Sequence, residues 1–311
     1  MTLTAASSNA PPAAPAARRR FDMRLVPAFG LLAPAVAFFA VFFVAPVGMM
    51  IGFSFFRQLP NGGVTTDVTF ANYARLAEVE LYRTVLWTTL RVSALTTLFC
   101  MLAAYPVALV MVRGRAWWGH VLTVAVIAPL LVNVVIRTYG WRVILANSNS
   151  GVLNWALKSV GLTNEPVRLL FTEWAIVIGS VHVFFPLMVL PIASALGKID
   201  PSVEEAARTL GGSSFAVFRR VTLPLSIPGL AVGSTLVFSL TASSFVAPAL
   251  LGGNFAKMLG TLVEEQIMSV FDWPFGAAIA TVLVAIVLAI NFTYLRLVGR
   301  RFPDRALGAG A

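Results

Sequence analysis

Six apolar runs, each long enough to cross a lipid bilayer, limit what this chain can fold into. They extend over about Phe29–Phe53, Leu86–Val112, Val121–Leu145, Trp174–Leu196, Gly229–Leu251 and Phe275–Leu295. A helix rises about 1.5 Å per residue, so an apolar core of about 30 Å takes about 20 residues. Four of the runs hold no Asp, Glu, Lys or Arg; the exceptions carry Arg91, and Arg137 with Arg142. Within lipid every backbone N–H and C=O must be satisfied by the protein itself, which leaves helices or closed barrels. Barrel strands alternate over about ten residues, and these runs do not alternate. The expected fold class is therefore all-α integral membrane, with six transmembrane helices. Composition agrees: only 12% of residues are charged and mean hydropathy is +0.84, against about 25% charged in a water-soluble domain. The single Cys100 excludes an internal disulfide.

The net charge of +10 does not point to nucleic acid, because the basic residues punctuate apolar runs instead of forming a patch. One side of the membrane collects Arg18, Arg19, Arg20, Arg24, Arg113, Arg115, Lys198, Arg208, Arg219, Arg220, Arg296, Arg300, Arg301 and Arg305, fourteen in all. The other collects six: Arg57, Arg75, Arg83, Lys158, Arg168 and Lys257. Positive residues are retained in the cytoplasm, so both termini are expected inside. Trp87, Trp141, Trp174 and Trp273 at predicted outer ends, and Trp117 and Trp118 at an inner end, suit the headgroup layer. Residues 1–28 read as a disordered basic cytoplasmic tail, 29–297 as the transmembrane domain and 298–311 as a cytoplasmic C-terminal tail. Arg18-Arg19-Arg20 resembles an export signal, but the following run is too long and lacks a cleavage site. Prolines within the spans leave backbone groups that a packed bundle must satisfy.

Most connections need only turn the chain round, but residues 197–228 are patterned. Asp200-Pro201 is an N-cap with a first-turn proline. Val203, Ala206, Ala207 and Leu210 then share one face of a short helix, with Glu204, Glu205, Arg208 and Thr209 on the remaining surface. Gly211-Gly212 ends it. Ser213 caps a second short helix, which Leu223-Pro224 and Pro228 are expected to stop before the fifth span. The result is a helix–glycine–helix elbow in the cytoplasm.

Glu205, Ala206, Ala207, Gly211, Val221, Leu223 and Pro224 stand at the spacing of the EAA loop, so the chain resembles binding-protein-dependent ABC importer permeases. That resemblance implies the type I ABC importer permease (MetI-like) fold in a bacterial inner (plasma) membrane. It also implies a second permease subunit, two ATP-binding ABC subunits and an extracytoplasmic solute-binding protein as partners. In such permeases the elbow docks on the ATPase, which would assign Glu205, Ala206, Ala207, Gly211, Leu223 and Pro224 to coupling. The small-residue face suits close approach to a groove. An amphipathic helix lying on lipid headgroups is the rival, and three carboxylates in the loop weigh against it. No G-x-x-x-x-G-K-[ST] occurs in this sequence, so the energy source is expected on another polypeptide.

Phe70-Ala71-Asn72-Tyr73, Arg137-Thr138-Tyr139-Gly140-Trp141 and Gly151-Val152-Leu153-Asn154-Trp155 resemble the first permease subunit of spermidine/putrescine importers. Phosphonate, ferric iron and oxyanion permeases share parts of these runs and stand as alternative solutes. The translocation pathway is expected to include Arg137, Tyr139, Trp141, Phe184 and Phe185, aromatic faces being favourable to a polyamine cation. Arg137 argues the other way, and the spans hold no carboxylate. An intramembrane charge is a functional-site hypothesis, set against structural pairing. Ser180 and His182 lie two apart and point to different sides of a helix, so they form no nucleophile–base pair; His120 lies far from both. No enzyme activity, cofactor or metal site is expected. An ion-gradient transporter would favour inverted repeats and intramembrane acids, neither of which stands out. Gly229-x-x-x-Gly233 reads as a close helix crossing.

Overall fold

The computed structural model describes residues 25–59, 62–149 and 151–301. The expected basic tail lies outside these residues except for 25–28, where the first helix begins, and the C-terminal tail lies outside beyond Arg301. The chain divides into two units, 1–49 and 50–311.

Residues 25–53 form one apolar helical run. Helix α1 (Leu25–Phe39) passes through a π-helical turn (Ala40–Val44) into α2 (Ala45–Phe53). The side chains from 32 to 46 are exposed, as befits a helix that is apolar on every side. The wide turn sits just ahead of Pro46. A proline ring clashes with the carbonyl four residues back, here that of Phe42, and a π turn relieves the clash without breaking the rod.

After Phe53 comes a two-stranded antiparallel pair, β1 (Arg57–Gln58) and β2 (Val64–Thr65), in the register Arg57↔Thr65. Helix α3 (Ala71–Glu78) leads into α4 (Glu80–Arg113), the second span. The third apolar run is not a straight span. It divides into α5 (Ala116–Ile127) with a 3-10 turn to Leu131, and α6 (Val134–Ile144), bent by 99°. Pro129 ends the first part, and Asn133 starts the second by accepting the Val135 N–H at 2.8 Å. Among the described residues five helices are long and apolar enough to cross a bilayer, and six when the bent pair counts as one span. A short helix, α7 (Val152–Ser159), precedes α8 (Glu173–Gly197), the fourth span.

After α9 (Pro201–Thr209) the expected second elbow helix does not stop before the fifth span. Helix α10 (Ser214–Val217), a π-helical turn (Phe218–Thr222) and α11 (Leu223–Ala242) form one rod from Ser214 to Ala242. The Leu223 N–H reaches back five residues to the Phe218 carbonyl, and Pro224 follows, as Pro46 follows its own π turn. Leu223-Pro224 thus marks an accommodated proline, not a helix end. The span also finishes earlier than expected. Residues 243–251 leave it, and Leu251 is fully buried beside Ile176 and Met258. Helices α12 (Leu259–Met268) and α13 (Trp273–Arg301) complete the unit.

Helices α4, α8 and α11 form the central packing, around Cys100, Ala104, Met188, Ile192, Leu196 and Val237. Glycines allow the closest crossing: a Cβ on Gly229 would stand 2.4 Å from the Pro191 carbonyl oxygen, and one on Gly233 2.7 Å from the Met188 sulfur. The Gly-x-x-x-Gly pair is therefore a packing device. Thr89 ties α12 to α4 by accepting the Leu259 N–H at 2.9 Å while donating to the Val85 carbonyl.

Candidate coupling elbow and solute pathway

Local signals build the elbow. The Asp200 carboxylate accepts the Ser202 N–H at 2.9 Å, capping α9, and that bond holds its carboxyl below the usual carboxylate range. At the other end Gly211 adopts φ +86° and its N–H meets the Arg208 carbonyl at 2.9 Å. Gly212 follows, its N–H on the Ala207 carbonyl at 3.1 Å; a Cβ there would lie 2.7 Å from that oxygen. The glycine pair thus satisfies the last carbonyls of α9 and reverses the chain. Ser213 starts the rod by accepting the Ala216 N–H at 3.3 Å.

The helix presents two unlike faces. Val203, Ala206 and Leu210 are exposed, Leu210 at 89%, with Phe215 beside them at 71%, while Ala207 is half-buried. Glu205 is exposed, and among the described residues it makes no ion pair. Glu204, expected on the free surface, turns inward instead. Its Oε1 accepts from Arg113 Nη2 at 3.2 Å and from Thr222 Oγ1 at 3.1 Å, and the same Arg113 nitrogen donates to the Ile199 carbonyl at 2.9 Å. Arg113 ends α4, Thr222 closes the π turn, and neither was singled out as a site residue from the sequence. The one available signal was Arg113 in a short cytoplasmic connection, where a basic residue reads simply as an orientation marker. Leu223 and Pro224 are half-buried in the rod.

The structure gathers part of the expected pathway set. Arg137 and Trp141, one turn apart on α6, face α8. Arg137 Nη1 donates to the Val183 carbonyl at 3.5 Å, and the Trp141 and His182 rings stand 5.7 Å apart, edge to face. Arg137 Nε is buried without a partner. Tyr139 is separated from them, on the exposed face with Ile136 and Val143. Phe184 and Phe185 are half-buried against the central core cluster. Arg91 pairs with Glu173, the first residue of α8, and Arg142 lies over the Phe171 ring.

The other two solute-related runs are joints. Asn72 donates to the carbonyls of Ser54 and Phe56 at 2.9 and 2.8 Å, and Tyr73 shares a hydrogen bond with Ser54 at 2.6 Å. Asn154, 4% exposed, donates to the carbonyls of Ala146, Ser148 and Val167 and accepts the Val167 N–H. Each buried group that loses its partner costs about 1–3 kcal/mol. Asn154→Ala is therefore expected to destabilise the folded protein by about 3 kcal/mol, read by thermal unfolding in detergent, with solute affinity unchanged in the molecules that fold. A change in solute preference at unaltered stability would contradict this assignment.

The family described as "Binding-protein-dependent transport system inner membrane component" matches residues 21–302. The spermidine/putrescine transport system permease protein PotB of Haemophilus influenzae is 34% identical over 257 residues, 82% of this chain and 89% of that one. Among solved structures, a bacterial ABC transporter involved in import of the acidic polysaccharide alginate superposes with a TM-score of 0.72 at 21% identity, covering 89% of this chain and 96% of that one. The MetNI methionine ABC transporter does so at 0.53 and 19% identity, covering 71% and 97%. The architecture is that of type I ABC importer permeases.

Proposed function

Because this chain belongs to the family of binding-protein-dependent transport system inner membrane components and is the permease of an ABC importer, we propose that its solute is a polyamine of the spermidine/putrescine class and that α9 is where a separate ATPase drives it. The open Val203–Ala206–Leu210 face carries the second part. This apolar face of a cytoplasmic helix is left uncovered by its own chain, while Glu204 pins the opposite side to the spans. Glu205, Ala206, Ala207 and Gly211 form the docking surface, and Leu223 and Pro224 belong to the rod that carries the motion onward. The PotB relatives support the polyamine assignment. Two ATPase subunits, a second permease subunit and an extracytoplasmic binding protein complete the importer, and the basic segments at 1–28 and 298–311 hold both termini inside.

Transport proceeds by alternating access. The loaded binding protein docks outside, ATP closes the ATPase pair, and the elbow passes that closure to the spans. In proteoliposomes holding the assembled importer, spermidine or putrescine uptake is expected to require both ATP and the binding protein. Uptake by this chain alone, driven by a proton or sodium gradient, would sink the coupling assignment. Arg137, with its unpartnered Nε, is the observation that favours an anionic solute. ATP-driven accumulation of a phosphonate or oxyanion with no polyamine uptake would transfer the assignment to that class.

A further inference from the structure

Resting on the reading of α9 as the ATPase-driven elbow, we propose that Arg113, Glu204 and Thr222 are positioning residues that clamp α9 to the second and fifth spans at once, so that one displacement of the elbow moves both. Glu204 is the common acceptor. It receives Arg113 from the end of α4 at 3.2 Å and Thr222 from the π turn of the fifth-span rod at 3.1 Å. Its side chain is 12% exposed and that of Arg113 23%, so the pair is shielded from water and from screening salt. Arg113 Nη2 also holds the Ile199 carbonyl, just before the cap of α9. Both ends of α9's first turn are thereby fixed to α4.

A second layer joins the two spans directly. Tyr105 of α4 shares a 2.8 Å hydrogen bond with Ser226 of α11, and its ring meets Phe218 edge to face at 5.5 Å. Val217, 4% exposed, packs beneath Gly212, where a Cβ would meet it at 3.2 Å. Motion entering at the elbow therefore meets α4 and the fifth span as one body. Without Glu204, α9 would remain attached to the fifth span through Gly211–Ser213 but would keep only the Arg113–Ile199 bond to α4. A buried carboxylate shared by two donors on different helices is a geometric constraint first, whatever its net contribution to stability.

The test uses the assembled importer with spin labels at Arg115, just past α4, and Arg208 on the elbow, both exposed. A second label pair joins Arg208 to the elbow of the second permease subunit, which lies outside the clamped body. With the clamp intact, ATP binding is expected to change the distance between the two elbows and leave the 115–208 distance unchanged. Glu204→Gln should let the 115–208 distance change on ATP binding, Thr222→Val the distance from 208 to a third label at exposed Arg219 on the rod, and both should lower uptake by about tenfold, while ATPase co-purification stays as in the parent. Thr222→Ser keeps the hydroxyl and should behave as the parent does. If Glu204→Gln proves too unstable to purify, the Thr222→Val and Thr222→Ser pair still decides. A 115–208 distance that changes in the parent, or parental uptake by both Glu204→Gln and Thr222→Val, would overturn the clamp while leaving α9 as the docking site. Absence of any ATP-dependent change between the two elbows, with the ATPase bound, would overturn the elbow reading and the clamp with it.

Discussion

Gly211→Asp will abolish ATP-driven uptake while leaving membrane insertion and folding intact. Gly211 holds φ +86°, and a Cβ there meets no atom within 4 Å. Within the chain the substitution therefore costs only the left-handed backbone, which Asp tolerates better than most residues, at about 1 kcal/mol. What changes is the surface, since a carboxylate now stands beside exposed Leu210. On the proposed docking the ATPase closes over this turn, and that charge is desolvated without a partner, at a cost of several kcal/mol. At about 1.4 kcal/mol per tenfold, occupancy of the elbow falls by about a hundredfold or more. Uptake and ATPase co-purification from reconstituted complexes read the effect, and the yield of monodisperse protein reads folding. Gly211→Asn has similar backbone tolerance and no charge, so it should keep most uptake. Parental transport by Gly211→Asp would refute the docking assignment.

The largest loss of stability is expected from Gly229→Val. A Cβ at this position would lie 2.4 Å from the Pro191 carbonyl oxygen, 2.6 Å from the Ala195 Cβ and 3.1 Å from the Ile192 Cα. These obstacles are mostly the backbone of α8, which no rotamer change can move. Helix α8 must retreat from α11, opening gaps among Met188, Ile192 and Leu196 at the central core. Overpacking commonly costs about 1–3 kcal/mol, and a clash with backbone belongs at or above the top of that range. Gly233→Ala meets chiefly the Met188 sulfur at 2.7 Å, the end of a flexible chain that can swing aside, so about 1 kcal/mol is expected there. Thermal unfolding of the two purified variants in the same detergent gives the order, and a reversed order would mean that this crossing is not held as described.

Much of the architecture was legible before any tertiary contact. Apolar length picked out the segments long enough to cross a membrane, though not that the third is bent by 99° or that the fifth runs from Ser214 to Ala242, and short-range chemistry built the elbow: Asp200 caps it, Pro201 enters it, and Gly211-Gly212 reverses it. The Phe70–Tyr73 and Gly151–Trp155 runs were legible as motifs but not as structure. Their asparagines act on carbonyls up to 18 residues away, and a resemblance cannot tell a loop joint from a solute contact.

The residues alone made readable whatever depends on neighbours within one or two helical turns or on apolar length: the number of long apolar runs, and the caps and glycine turn of α9. Tertiary structure decided the rest. Glu204 and Glu205 are adjacent and chemically alike, yet one is an internal anchor and the other is open to solvent. That choice is made by Arg113, 91 residues away, and by Thr222 across the π turn. Likewise, whether a proline ends a helix or is absorbed by a wide turn, as at Pro224, depends on what packs around it. Local propensity supplies the alternatives, and long-range partners, whose desolvated groups must all be satisfied, select among them.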